Sequence, residues 1–196
     1  GSGDFTFTRG SNLSATRVDA SQLIEKGREN FLLYSNDFSQ SNWTVSSMNI
    51  TQGQTDPNGG SSATLFTSTA NSSVYFYQNL NKYGVYSIYA KAGNRSVFSM
   101  INGVYNNGAS FNLSNQTFTT SGQGSLAAIE DVGNGWFRCS VYINSLSQIL
   151  IGLMDISGGG MTIGDTMSFC FSQGELGTIA TPYIETGAST AQAGIL

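Results

Sequence analysis

Hydrophobic and polar positions alternate along much of this chain, most clearly over Ile129–Val141, IEDVGNGWFRCSV. Asn134-Gly135 is a turn dipeptide that readily supplies positive φ. Past it, Phe137, Cys139, Val141 and Ile143 fall on one face, and Trp136, Arg138, Ser140 and Tyr142 on the other. A period of two with one apolar face predicts a half-buried strand, and that face requires a second layer to cover it. The same reading predicts strands over Phe31–Tyr34, Trp43–Asn49, Ser62–Thr67, Val74–Leu80, Tyr83–Lys91, Ser96–Asn102, Ala109–Asn112, Gln116–Thr119, Leu126–Val132, Trp136–Asn144, Ile149–Asp155, Thr166–Ser172 and Pro182–Glu185. Gly- and Asn-rich breakers separate them: TDPNGG at 55–60, NNG at 106–108, SGQG at 121–124 and SGGG at 157–160. Ile149–Met154, ILIGLM, is continuously apolar and predicts a central strand covered on both faces. In Val74–Leu80, residues Val74, Phe76 and Leu80 point to the core and Tyr75, Tyr77 and Asn79 to the second face. Tyr83–Lys91 and Ile149–Met154 are the expected partners of the 129–141 hairpin in the covering sheet. The class is all-β, a sandwich.

Residues 1–29 break this pattern. They hold four of the eight basic residues, and their apolar residues are sparse. The segment is expected to be an extended arm preceding a single domain at 30–196. Its docking residues are Phe5 and Phe7, which alternate as in a short strand, with Arg9 and Arg17. A plain terminal linker is the alternative. Over the whole chain charge is scarce: 10% of residues, net −4, with 12% aromatic. That balance argues against disorder by self-repulsion, and the acidic pI of about 4.5 argues against a phosphate-tracking nucleic-acid binder. No apolar run reaches the length of a membrane-spanning helix, and GSGDFTFTRG lacks the basic-then-apolar pattern of an export signal.

Several pieces together resemble a family of phage structural proteins. ENFLLYSNDFSQSNWT at 29–44 is similar to its "NLL-YS-DFS-WT" opening. TQGQTDPNGGSSATLF at 51–66 is similar to its "DP-G---A" loop and strand, and YSIYAKAG at 86–93 to its "S-YAKAG" strand. IEDVGNGWFRCSV resembles the "VGNGWYR" hairpin, and GDTMSFCFSQGELGTIATPYIET at 164–186 the "GD-----GAQLE-G--ATSYI-T" stretch. FTFTRGSNLSATRVDASQLIEKGREN at 5–30 looks like the "F-RGS-ATRV---GLIE" leader that precedes such domains. The pieces occur in the family's order. The departures are SQGELG in place of GAQLE, and an Asn-rich Val104–Gln116. The resemblance implies a jelly-roll sandwich like the carbohydrate-binding modules of glycoside hydrolases. It also implies a virion location in a tail fibre, head fibre or capsid decoration. Partners would be other virion proteins and further copies of the chain, trimers being common among fibre parts.

The chemistry legible in the sequence agrees with a non-enzymatic role. With no histidine, Ser-His-Asp and Cys-His arrangements are excluded. SGGG is not followed by Lys-Ser/Thr, so no P-loop is present. Asp155, Asp165 and Glu175 are the acids to weigh for glycoside hydrolysis, and a solvated or turn-capping role is the simpler reading of each. No cofactor is expected. Modules of the resembled fold often hold a structural calcium, for which Asp37 and Asp165 are the candidate ligands. Cys139 and Cys170 read as buried thiols, with a disulfide left open. Trp43 and Trp136 read as core, a stack of Trp136 over Arg138 being the alternative for the second. Sugar binding needs aromatic faces beside amides and hydroxyls. Tyr75, Tyr77 and Tyr89, with Tyr105 beside Asn106 and Asn107, are the candidates, and packing or a subunit contact is the competing explanation. The alternative function is accordingly a receptor-recognition module for host-surface glycans.

Overall fold

The computed structural model describes residues 28–103, 105–122, 124–144 and 147–192, together with the backbone of 17–18 and 24–25. The strands are β1 (Arg17–Val18), β2 (Ile24–Glu25), β3 (Glu29–Asn30), β4 (Thr44–Ser46), β5 (Met48–Gln54), β6 (Ala63–Ser68), β7 (Tyr75–Asn79), β8 (Gly84–Ala92), β9 (Val97–Ile101), β10 (Gly108–Asn112), β11 (Thr117–Ser121), β12 (Gly124–Gly133), β13 (Trp136–Ile143), β14 (Gln148–Gly152), β15 (Thr166–Glu175) and β16 (Ala191–Gln192). Two six-stranded antiparallel sheets form a β-sandwich. Sheet I has the order β11-β10-β9-β14-β7-β4, and sheet II the order β12-β13-β8-β15-β6-β5. Small ladders join β1 to β2 and β3 to β16. Of the proposed arm residues, Arg17 pairs with Glu25 in the first of these. Phe5, Phe7 and Arg9 lie outside the described residues.

The hairpin expected at 129–141 is β12–β13. Gly133 pairs with Trp136, leaving Asn134 and Gly135 as a two-residue loop with φ of 55° and 77°. Positive φ at both positions matches the right-handed strand twist. Phe137, Cys139, Val141 and Ile143 do face the core. One expected pairing is corrected. The Tyr83–Lys91 strand, β8, lies in the hairpin's own sheet and hydrogen-bonds directly to β13, while β14 is in the facing sheet. Alternation fixes which face is buried but not which apolar face it meets, and both strands carry one.

The core is an aromatic cluster spanning the two sheets. Phe76 of sheet I stacks on Phe66 of sheet II at 4.3 Å between centroids. Phe38, Trp43 and Phe169 meet it edge-on or tilted at 5.1, 5.8 and 5.4 Å. Such pairs add to the burial each ring already contributes.

The predicted strand at Trp43–Asn49 is two strands in two sheets. Ser47, with φ of 54°, turns the chain from β4 in sheet I to β5 in sheet II. The predicted strands at Phe31–Tyr34 and Pro182–Glu185 are irregular segments instead. Both flank a bulge in β15 between Cys170 and Gln173, where Phe171 has φ of 52°. There the backbone bonds to side chains in place of a ladder. Asn30, fully buried, donates to the carbonyls of Ser172 and Ile184 and accepts from the amides of Leu32 and Gly174. Gln78 closes on Leu33 in the same way, accepting from its N–H at 2.8 Å and donating to its carbonyl at 3.0 Å. At Gly174 a Cβ would stand 2.6 Å from Phe31 and 2.9 Å from Tyr86, so this close approach requires glycine.

Candidate functional site

The four candidate tyrosines fall in three places. Tyr75 and Tyr77 alternate with Phe76, so β7 presents both on the outer face of sheet I. Their rings are half-buried, 6.1 Å apart and inclined by 52°. Cross-strand neighbours Ser46 and Gly152 flank Tyr75, and Thr44 and Leu150 flank Tyr77. Tyr105 is exposed in the β9–β10 connection and rests on Gly158, where a Cβ would come within 2.8 Å of the ring. Tyr89 is on sheet II, so it shares no platform with Tyr75 and Tyr77. It packs on Phe171 at 5.3 Å beneath the guanidinium of Arg138 at 5.6 Å. Burial raises its phenol, against the opposing pull of Arg138.

Much of the outer face of sheet I is roofed. Beyond β14 the chain folds back across it. Met154 O accepts from Ser99 Oγ at 2.8 Å, and Ile156 O accepts from the Asn106 amide at 2.8 Å. Ser99, Ile101 and Leu150 are therefore buried although they face outward. The SGGG loop belongs to this roof and is tightly braced. Asp155 accepts from Ser157 N, Ser157 Oγ and Gly159 N. These bonds, Ser157 Oγ foremost, hold its carboxyl below the usual range, with a smaller contribution from Arg95. Arg95 donates to Gly160 O and meets Asp165 at 3.4 Å.

At the open side of the tyrosine pair lies a cleft of about 370 Å³. Its rim carries Ser41, Asn42, Thr44, Asn79 and Thr190, and Phe31 and Gln78 form its inner wall. Thr44 is the direct cross-strand partner of Tyr77, and Asn79 follows Tyr77 by two residues on the same face. The rim was hard to read from sequence. Only Asn79 shared the alternation of the tyrosines, and Ser41, Asn42 and Thr190 come from loops. A second, more apolar groove lies on sheet II beside Leu126 and Ile179, which are 63% and 79% exposed.

The acids have structural partners. Burial works to raise the Asp37 carboxyl, but donors from Ser39, Gln40 and Gln52 together hold it below the usual range. Asp165 accepts from the Thr162 amide at 2.7 Å and faces Arg95, and Glu175 is buried and accepts from Gln173 and from Thr181 N and Oγ1. Among the described residues, no three His, Cys, Asp or Glu side chains gather as metal ligands. Trp43 lies in the main core. Trp136, 1% exposed, lies in a second cluster with Cys170 and Phe171 on the outer face of sheet II. The stack considered for Arg138 is made with Tyr89 instead. Its Nη2 also donates to Ser87 Oγ and to Thr181 O.

Cys139 pairs with Ile88 on the inner face of sheet II, and Cys170 with Tyr89 on the outer face. Both are free and buried, and pointing to opposite faces they form no disulfide. Burial raises both thiols far above the ordinary value. A thiol-specific chromogenic reagent is therefore expected to leave native protein unlabelled at pH 8, and to titrate both cysteines of the chain once it is unfolded. Rapid native labelling would contradict this placement.

Compared with protein-family models and with curated proteins, the chain matches none.

Proposed function

We propose that this chain is a non-enzymatic virion component of a phage, a jelly-roll domain displayed on the particle and held there by residues 1–29. The observation that carries the proposal is where the family-like segments fall in the fold. Asn30 and Phe38 of the 29–44 segment, the hairpin turn at Asn134-Gly135 and the bulged β15 are the joints of the sandwich. A resemblance concentrated at such joints speaks for shared architecture and says little about ligands. The capping roles of Asp37, Asp155 and Asp165 suit a scaffold. Deletion of residues 1–29 is expected to leave a folded, soluble sandwich that no longer incorporates into particles. Circular dichroism checks the first half and quantitative blotting of purified particles the second. Incorporation at the level of the intact chain would reject the arm.

A second reading, glycan recognition by the displayed domain, is favoured by the Tyr75–Tyr77 pair. These rings are neighbours on the outer face of sheet I, at the edge of the roof and beside a polar cleft. Weak single-site binding would be multiplied by copy number on a particle.

A further inference from the structure

We infer that the cleft beside Tyr77 is a binding subsite for an uncharged, hydroxyl-rich glycan chain that continues from the Tyr75–Tyr77 pair. The inference rests on the second reading above and gives it a ligand class and a path. The first observation is continuity. Thr44 and Asn79 flank Tyr77 on the same face of sheet I, and both also line the cleft. These two residues join the tyrosine ring to the cleft.

The second observation is the chemistry of the rim. It presents two amides, Asn42 and Asn79, and the hydroxyls of Ser41, Thr44 and Thr190. Amides donate and accept at once, which matches vicinal sugar hydroxyls. Among the described residues, the side-chain amides of Asn42 and Asn79 make no hydrogen bond, so both are available to a ligand. The floor is ordered. Gln78 pins the Leu33 backbone, and the Phe31 ring is held against Tyr86 at 5.7 Å. Ligand binding thus orders only short side chains, which keeps its entropic cost low.

The third observation selects the charge. No residue lining the cleft is ionisable. The ammonium of Lys82 beside it sits over the Phe31 ring, 5.1 Å from its centroid. An anionic polymer would find no fixed cation on the rim, whereas a neutral one loses nothing by that. The tilt of 52° between the two tyrosine rings adds a shape requirement. It suits a single curved chain and not the flat face of a crystalline polymer.

The test is an NMR titration of the isotope-labelled full chain with hexasaccharides from galactomannan, glucomannan and dextran, and with polygalacturonate fragments as the anionic arm. The side-chain amide signals of Asn42 and Asn79 are expected to shift with at least one neutral hexasaccharide. Tyr77→Ala is expected to weaken that binding at least about tenfold, and Asn42→Ala and Asn79→Ala by about fivefold each, the scale of one lost hydrogen bond. Both asparagines are exposed, so these two variants keep the fold. Weakening by Tyr75→Ala and Tyr77→Ala with no effect of either asparagine would leave the tyrosine platform standing and overturn the cleft. Preference for polygalacturonate, or no binding of any neutral hexasaccharide, would also overturn it, and particle incorporation would remain a separate question.

Discussion

Asn30→Ala is expected to lower the unfolding free energy by about 4 kcal/mol, with a fall in Tm of about 10 °C. The side chain is fully buried and makes four hydrogen bonds, to Ser172 O, Ile184 O, Leu32 N and Gly174 N. Alanine removes one partner from each and supplies none. A buried donor or acceptor left unpaired costs about 1–3 kcal/mol, and partial access of water through the displaced segments reduces the sum. Asn30→Asp is the sharper control. It keeps the shape and both acceptor contacts but replaces the two donated bonds with a carboxylate facing two carbonyl oxygens. It is expected to be at least as destabilising at neutral pH. Urea titration checks both: the midpoint falls while the slope stays that of the parent. A loss below about 1 kcal/mol in Asn30→Ala would show that this junction contributes little, since that is the size of a single ordinary hydrogen bond.

Phe76→Ala is expected to cost about 3–5 kcal/mol, the range for deleting a large buried ring. Phe76 belongs to sheet I, while Phe66 and Phe169 belong to sheet II, so its ring is a contact between the layers. Phe38 and Trp43 close the other sides, and the hole left by alanine is bounded by rigid rings that cannot collapse into it. Phe118→Ala offers the contrast. Its side chain lies at the open edge of the same sheet and is 44% exposed, so the change is expected to cost under about 1 kcal/mol. Equal losses at the two positions would contradict the placement of the core. Thermal and urea unfolding of the pair, measured side by side, settle it.

The fold was legible where local chemistry decides it. Alternation marked the core face of β13, and Asn134-Gly135 marked its turn, because both depend on neighbours in sequence. Val74 and Phe76 were placed inward by the same parity. Assignment of strands to sheets was less legible. β8 reads from its pattern as part of the facing layer and lies beside β13, since strand order depends on long connections that leave no local trace. The break at Ser47 leaves no mark in the sequence, because serine rarely takes positive φ and here the crossing between the sheets imposes it. The segments around Asn30 and Tyr183 look like strands, yet the Ile184 carbonyl accepts from the Asn30 side chain and the Ser35 amide donates to the Thr186 hydroxyl, each more than 100 residues away in sequence. At the candidate site, alternation puts Tyr75 and Tyr77 on one face of β7, where their rings are neighbours. Tyr89 obeys the same alternation in another sheet, where Arg138 and Phe171 cover it.

The ladder between β3 and β16 has a mechanical consequence. It brings residue 29 alongside residue 192 in antiparallel register. If residues 1–28 tether the domain, tension on them enters at β3 and runs along that strand's axis. It is met by the β16 ladder and by the Asn30 bonds loaded together, not opened one after another. From Asn30 the load passes to Ser172 and Gly174 in β15, which lies between β8 and β6 in the interior of sheet II. Such a tether delivers drag into the middle of a sheet and spares its edges. Under such a tether the sandwich would be loaded through an interior strand of sheet II and not through an edge strand.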